Sequence, residues 1–257
     1  MNISDISTQL LYTTVPIISK KKNGDISTGT GFIFSVKEDI NNSIPLLITN
    51  YHVLENSEMG FVEFHIANNG KPTDEVIRIQ FDDKITEMKQ LGNLDLIAIP
   101  LATTLNNLNE KGIQIFYRTV DQDIIPTSEQ IDDLAALENI VFIGYPNGIY
   151  DQVNKSPIVR QGITATPIWN AFGGEEAFLI DAGVFPGSSG SPVFIFNQGS
   201  YPTKNGITIG SRLFFVGVIV STYKKEPSYL SLGKAINSKI MYNEIEAFIE
   251  RLKKENM

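Results

Sequence analysis

The stretch Phe185-Pro186-Gly187-Ser188-Ser189-Gly190-Ser191-Pro192-Val193 runs directly into Phe194-Ile195-Phe196. A serine between two glycines suits a tight turn, and the β-branched and aromatic residues after it read as a strand. An α/β-hydrolase nucleophile sits on a strand-turn-helix, and no helical period follows Ser189, so an esterase of that fold is disfavoured. The small neighbours would let a carbonyl group approach Ser189 and let adjacent backbone N–H groups converge on its oxygen. Read alone, the segment also fits a plain Gly/Ser turn between strands. Ser188 and Ser191 are rival hydroxyls.

Working outward, the same short apolar runs recur along the chain: Leu11–Ile18, Gly31–Val36, Pro45–Thr49, Phe61–Ile66, Val76–Phe81, Leu94–Pro100, Ile140–Gly144, Ile158–Pro167, Ala177–Asp181, Pro192–Phe196 and Leu213–Tyr223. About a dozen short strands at regular spacing predict an all-β chain rather than alternating β/α units. Helical spacing is convincing only at Ser238–Lys254, with Ile240, Met241, Ile245, Phe248, Ile249 and Leu252 on one face. Single helical turns are expected at Val53–Ser57 and Ile131–Leu137. The acidic stretch Thr103–Asn139 reads as a linker between two halves, and Asn197–Ser211 as an extended hairpin loop. Modules at 1–115 and 116–257 follow.

The 257 residues contain no cysteine, two histidines, and 21 basic against 29 acidic side chains, a formal charge of −8. Absent cysteine excludes disulfide scaffolds, thiolate metal sites and cysteine nucleophiles. The negative charge, without a basic stripe, disfavours nucleic-acid binding. Met1–Leu10 lacks the features of a secretory signal, and no run approaches the roughly eighteen apolar residues of a membrane span, so a cytoplasmic protein is expected. Two histidines at unrelated places supply no metal cluster, and no cofactor is expected.

The histidine count also narrows the choice of general base. His52 lies in Leu47-Ile48-Thr49-Asn50-Tyr51-His52-Val53-Leu54, where an apolar strand ends and a short helix begins. His65 alternates within Glu63-Phe64-His65-Ile66 and reads as structural or surface. In Gly92-Asn93-Leu94-Asp95-Leu96-Ile97-Ala98-Ile99-Pro100, Asp95 opens an apolar strand. A carboxylate there must be paired, for which a histidine N–H is suitable, or lie at the strand's exposed start.

The order His52, Asp95, Ser189 on distinct strand edges resembles the chymotrypsin-like serine proteases, whose triad runs His, Asp, Ser through two β-barrels. Within that superfamily the chain is most similar to the cysteine-free bacterial branch that includes the high-temperature-requirement proteases. The matching stretches are Gly29–Phe34, Thr49–Val53, Asp95–Ala98, Ile143–Pro146, Arg160–Ile163, Asp181–Gly183 and Gly187–Pro192, within a likeness spanning roughly residues 10 to 225. The resemblance implies two six-stranded antiparallel β-barrels with a C-terminal α-helix and a protein or peptide substrate. It makes Ser189 the nucleophile, His52 the base, Asp95 its orienting carboxylate, and the N–H groups of Gly187 and Ser189 the oxyanion hole. It also places Gly183 at the base of the primary pocket and Thr222 on its wall, so an apolar P1 side chain is expected. Ser188 stands where digestive members carry an acidic residue, which excludes their zymogen activation. After Tyr223 about thirty residues remain, enough for a strand and the helix. The competing reading is a latent protease or an inactive peptide-binding module on the same fold.

Overall fold

The computed structural model describes residues 3–39, 42–82, 90–204, 206–225 and 228–255. Six strands build the first sheet: β1 (Thr14–Lys21), β2 (Ile26–Lys37), β3 (Ser43–Thr49), β4 (Ser57–Asn68), β5 (Lys71–Asp82) and β6 (Ile97–Pro100). They pair in the order β5-β4-β1-β2-β3-β6, all neighbours antiparallel. Two-residue strands β7 (Ile115–Phe116) and β8 (Val120–Asp121) join β4 and β2. The second module contains β9 (Asn139–Gly144), β10 (Ile158–Thr164), β11 (Ala177–Asp181), β12 (Pro192–Asn197), β13 (Ser200–Thr203), β14 (Gly206–Ile209), β15 (Arg212–Lys225) and β16 (Ser228–Asn237). Six of these close into a barrel, β10-β11-β16-β15-β12-β9, while β13 and β14 form a separate hairpin. The all-β class and the C-terminal helix, here Ser238–Glu255, are as the sequence indicated. The sheets divide between Asp121 and Asn139, so β7 and β8 lie with the first module.

Side chains alternate across a strand, so one face of a barrel strand points inward and the other outward. On β2 both faces are buried: Ile33 lies in the first module's core with Val15, Ile17, Leu47 and Phe64. Phe32 and Phe34 turn the other way, into a second cluster with Phe194, Phe215 and Val218 of the barrel. The run Gly31–Val36, broken only by the buried Ser35, thus belongs to a strand sandwiched between its own core and the seam between modules. The terminal helix presses Met241, Ile245, Phe248 and Ile249 into that seam, at the spacing of one helical face. Burying each such Phe or Ile contributes about 1.5–3 kcal/mol, so the seam holds the modules as one unit.

The structure departs from the sequence expectations in places. Leu11–Ile18 was expected as the first strand; instead Ile6–Leu11 is helical, with Thr8 N–H donating to Asp5 Oδ2 at 3.1 Å, and the strand starts at Thr14. The local cap outweighed the apolar pattern. The linker contains a helix, Ala102–Glu110, and the turn expected at Ile131–Leu137 lies earlier, at Ser128–Asp132, where Thr127 and Gln130 form a capping box. Among the described residues no helix is long and apolar enough to cross a membrane.

Candidate active site

The β3–β6 register pairs Thr49 with Ile97. Three residues beyond Thr49 and two before Ile97, His52 and Asp95 therefore emerge at the same sheet end. His52 rides on the four-residue helix Tyr51–Leu54. The Asp95 turn is sewn to it through its carbonyl, which accepts from Asn50 Nδ2 at 2.7 Å and from Tyr51 N–H at 3.3 Å. Asp95 Oδ1 accepts the His52 N–H at 3.0 Å, and Oδ2 lies 2.6 Å from His52 Nδ1. An ionised carboxylate only accepts, so Nδ1 carries the proton and Nε2 presents its lone pair. That Nε2 lies 3.1 Å from Ser189 Oγ. Of the two alternatives for Asp95, the structure selects the imidazole-paired carboxylate, although it is only half-buried.

Ser189 comes from the second module. Its turn contributes five consecutive carbonyls, each with a donor. Phe185 accepts from Ser188 N–H (2.9 Å), Pro186 from Asn147 N–H, Gly187 from Thr30 Oγ1 (2.8 Å), Ser188 from Ser191 N–H (3.0 Å) and Ser189 from Thr30 N–H (2.8 Å). The N–H groups of Phe185, Ser188, Gly190 and Ser191 are likewise bonded. Among the described residues, the N–H groups of this turn without an acceptor are those of Gly187 and Ser189. A buried N–H is seldom left unpaired, so these two are the turn's free donors. A trans peptide points its C=O and N–H to opposite sides; with the Pro186 carbonyl committed to Asn147, the Gly187 N–H is turned away from that loop.

Glycine is required at two points of the turn. Gly187 and Gly190 both have φ of 88°, and a Cβ at Gly190 would overlap the Thr30 carbonyl oxygen. The rival hydroxyls are withdrawn: Ser188 and Ser191 are 1% and 0% exposed. Ser189 faces a cleft of about 520 Å³ lined by His52, Asp95, Val184, Phe185, Val220 and Thr222, among others. Thr222 lies on the cleft wall, with its hydroxyl donating to Val184 O at 3.0 Å. Gly183 does not line it; a Cβ there would sit 2.9 Å from the Arg160 guanidinium, which lies over the Phe185 ring. His65 is remote, its ring nitrogens 2.8 Å from Thr73 O and 3.2 Å from Lys155 O.

Sequence reasoning gave Thr30 no role. Its hydroxyl donates to Gly187 O and accepts from Tyr145 N–H at 3.0 Å, and its carbonyl accepts from Thr49 Oγ1 at 2.8 Å. The available signal was its flanking by Gly29 and Gly31, where a Cβ would meet Val53 and Leu47 at 2.6 and 2.7 Å. Gly29 lets β2 pass close to the helix of His52 at Val53, and Gly31 lets it close on Leu47 of β3.

A two-module β fold with this cleft between its halves defines a trypsin-like peptidase fold. The model of the trypsin-like peptidase domain matches residues 29–200, two thirds of the chain, and the chain belongs to that family. Among solved structures it is similar to the HtrA-type protease AlgW with a tripeptide, at 16% identity and a TM-score of 0.55, over 98% of this chain and 64% of that one. The same protease with a decapeptide aligns at 14% identity and a TM-score of 0.54, over 97% and 68%. The chain thus spans about two thirds of the length of these two solved proteases. No curated protein sequence matches it.

Proposed function

We propose that the chain is a serine-type endopeptidase acting on protein or peptide substrates through an acyl-enzyme. Ser189 Oγ attacks the scissile carbonyl carbon while its proton passes to His52 Nε2, and Asp95 holds the imidazolium through Nδ1–H. The charge on the former carbonyl oxygen is received by the N–H groups of Gly187 and Ser189, each worth on the order of 3 kcal/mol in the transition state. His52 then returns the proton to the leaving amine, and the C–N bond breaks. Water, activated by the same imidazole, hydrolyses the Ser189 ester. The walls Val184, Phe185 and Val220 favour an apolar side chain beneath the reacting bond.

The observation that carries this reading is the imidazole bridging Asp95 Oδ2 and Ser189 Oγ at 2.6 and 3.1 Å, from opposite modules. The test is Ser189→Ala: both peptide cleavage and labelling by a fluorophosphonate probe should disappear. Labelling that survives in the variant rejects Ser189 as nucleophile, and a wild-type protein that neither labels nor cleaves supports the peptide-binding module instead.

A further inference from the structure

We propose that the Lys21 ammonium is a positioning residue for His52, holding the C-terminal end of the helix that carries it. The inference rests on His52 being the general base.

The helix Tyr51–Leu54 is a single turn, and one turn gains too few hydrogen bonds to offset the entropy of ordering it. Its N-cap residue Asn50 makes no side-chain cap, and its last carbonyls have no partner within the helix. Three of the carbonyls at that end converge on one atom: Lys21 Nζ donates to His52 O at 3.1 Å, to Val53 O at 3.0 Å and to Glu55 O at 2.5 Å. An ammonium has three N–H donors and no acceptor, so the match is complete. Its charge also complements the negative end of the helix.

The placement of Lys21 is built into β1. The β1–β4 ladder changes register between Lys20 and Lys21. On either side of it, Lys22 N–H donates to Asn56 O at 2.9 Å, and the buried Ser19 and Ser57 hydroxyls bond each other. The end of β1 is thus stitched along residues 52 to 57, in a chain with no cysteine to supply a covalent brace. Removing the ammonium takes the protein's donor from three carbonyls, at residues 52, 53 and 55, on the turn whose His52 Nε2 must meet Ser189 Oγ.

Burial pushes the Lys21 amine down from its ordinary value, against an upward push from Glu55. Of the other charged groups on these strand ends, Lys20 pairs with Glu58, and Asp25 accepts from Asn23. The clamp therefore fails on the alkaline side, below the pH at which a free lysine discharges, and an arginine would not discharge there.

The experiment compares wild type, Lys21→Met and Lys21→Arg. Fluorophosphonate titration counts reactive sites, peptide turnover gives kcat and KM, and proton NMR reports the hydrogen on His52 Nδ1. K21M should lose about tenfold in kcat per titrated site with KM within about twofold, the cost of a misplaced base. Its Nδ1 proton resonance should shift or broaden, and K21R, which keeps the charge but spreads its donors over a planar fork, should recover part of both. An unchanged kcat and resonance in K21M overturns the proposal, as does a change in KM alone. If K21M does not fold, kcat is followed into alkaline pH: wild type should fall where K21R holds, and coincident profiles overturn the proposal. Wild-type protein that fails to label sinks the protease reading itself, while the Nδ1 resonance still tests the clamp.

Discussion

The two turns that meet across the cleft are held in different ways. Around Ser189 the flanking hydroxyls of Ser188 and Ser191 are 1% and 0% exposed, and five successive carbonyls have donors. Across from it, His52 and Asp95 have side chains 43% and 39% exposed, resting on each other, a few backbone contacts and one lysine. Backbone bonds in a dry turn over-determine a conformation, whereas solvated polar contacts hold it by a smaller margin. The position of Ser189 should therefore resist single changes, and that of His52 should yield to them.

The largest break in that comparison is Asp95→Asn. The asparagine keeps an oxygen for the His52 N–H, but an amide nitrogen at the other site would donate to Nδ1 and drive the proton to Nε2. The imidazole would then face Ser189 with a donor and could not take its proton. A loss of about 10⁴-fold in kcat is expected with the fold intact, as for the same change in a well-studied serine protease. Single-turnover acylation measures it, and a loss under tenfold would mean that Asp95 does not set the tautomer.

Thr30→Val probes the opposite side. The substitution keeps the shape and deletes a hydroxyl that donates to Gly187 O and accepts from Tyr145 N–H. Leaving those buried groups unpaired should cost about 1–3 kcal/mol of stability. The Gly187–Ser188 peptide loses one tether, but the Pro186 and Ser188 carbonyls, whose peptides carry the Gly187 and Ser189 N–H groups, keep their donors, so kcat should fall only a few-fold with little change in KM. A fall of about a hundredfold would show that the Thr30 contact alone holds the turn, which would then be as easily disturbed as the His52 side.

That contrast also explains what could be read from the sequence. Ser189, His52 and Asp95 were legible because each stands at the edge of an apolar run and carries a group whose chemistry needs a partner. The strands were legible as short β-branched runs, whereas the double burial of β2 emerged only from the packing of the two modules. Thr30 and Lys21 were not, because both act on main-chain atoms, and a carbonyl 31 or 157 residues away leaves no trace in residue identity. The helix Ile6–Leu11 was missed because Asp5 decides it through one side-chain cap. Gly183 stays out of the cleft lining, and the Arg160 guanidinium that packs against it comes from β10, a neighbour that sequence position does not reveal.

The smallest effect on catalysis should come from the most buried ion pair. Arg212 donates to Glu138 Oε2 at 2.7 Å, with side chains 6% and 3% exposed. It also donates to Asn197 Oδ1 at 2.9 Å and lies over the Tyr201 ring at 4.6 Å. Glu138 in turn accepts from Ala135 N–H at 3.0 Å. None of these residues lines the cleft. Arg212→Met strands a desolvated carboxylate and should cost about 3–5 kcal/mol, whereas pairing it with Glu138→Gln, which keeps an acceptor for Ala135, should restore much of the loss. Denaturant unfolding measures both variants, and kcat per titrated site should stay at the wild-type value in each. A fall in kcat at full titration would show that strain in the barrel wall reaches the Ser189 turn, and the turn's bonded carbonyls would then transmit change instead of resisting it.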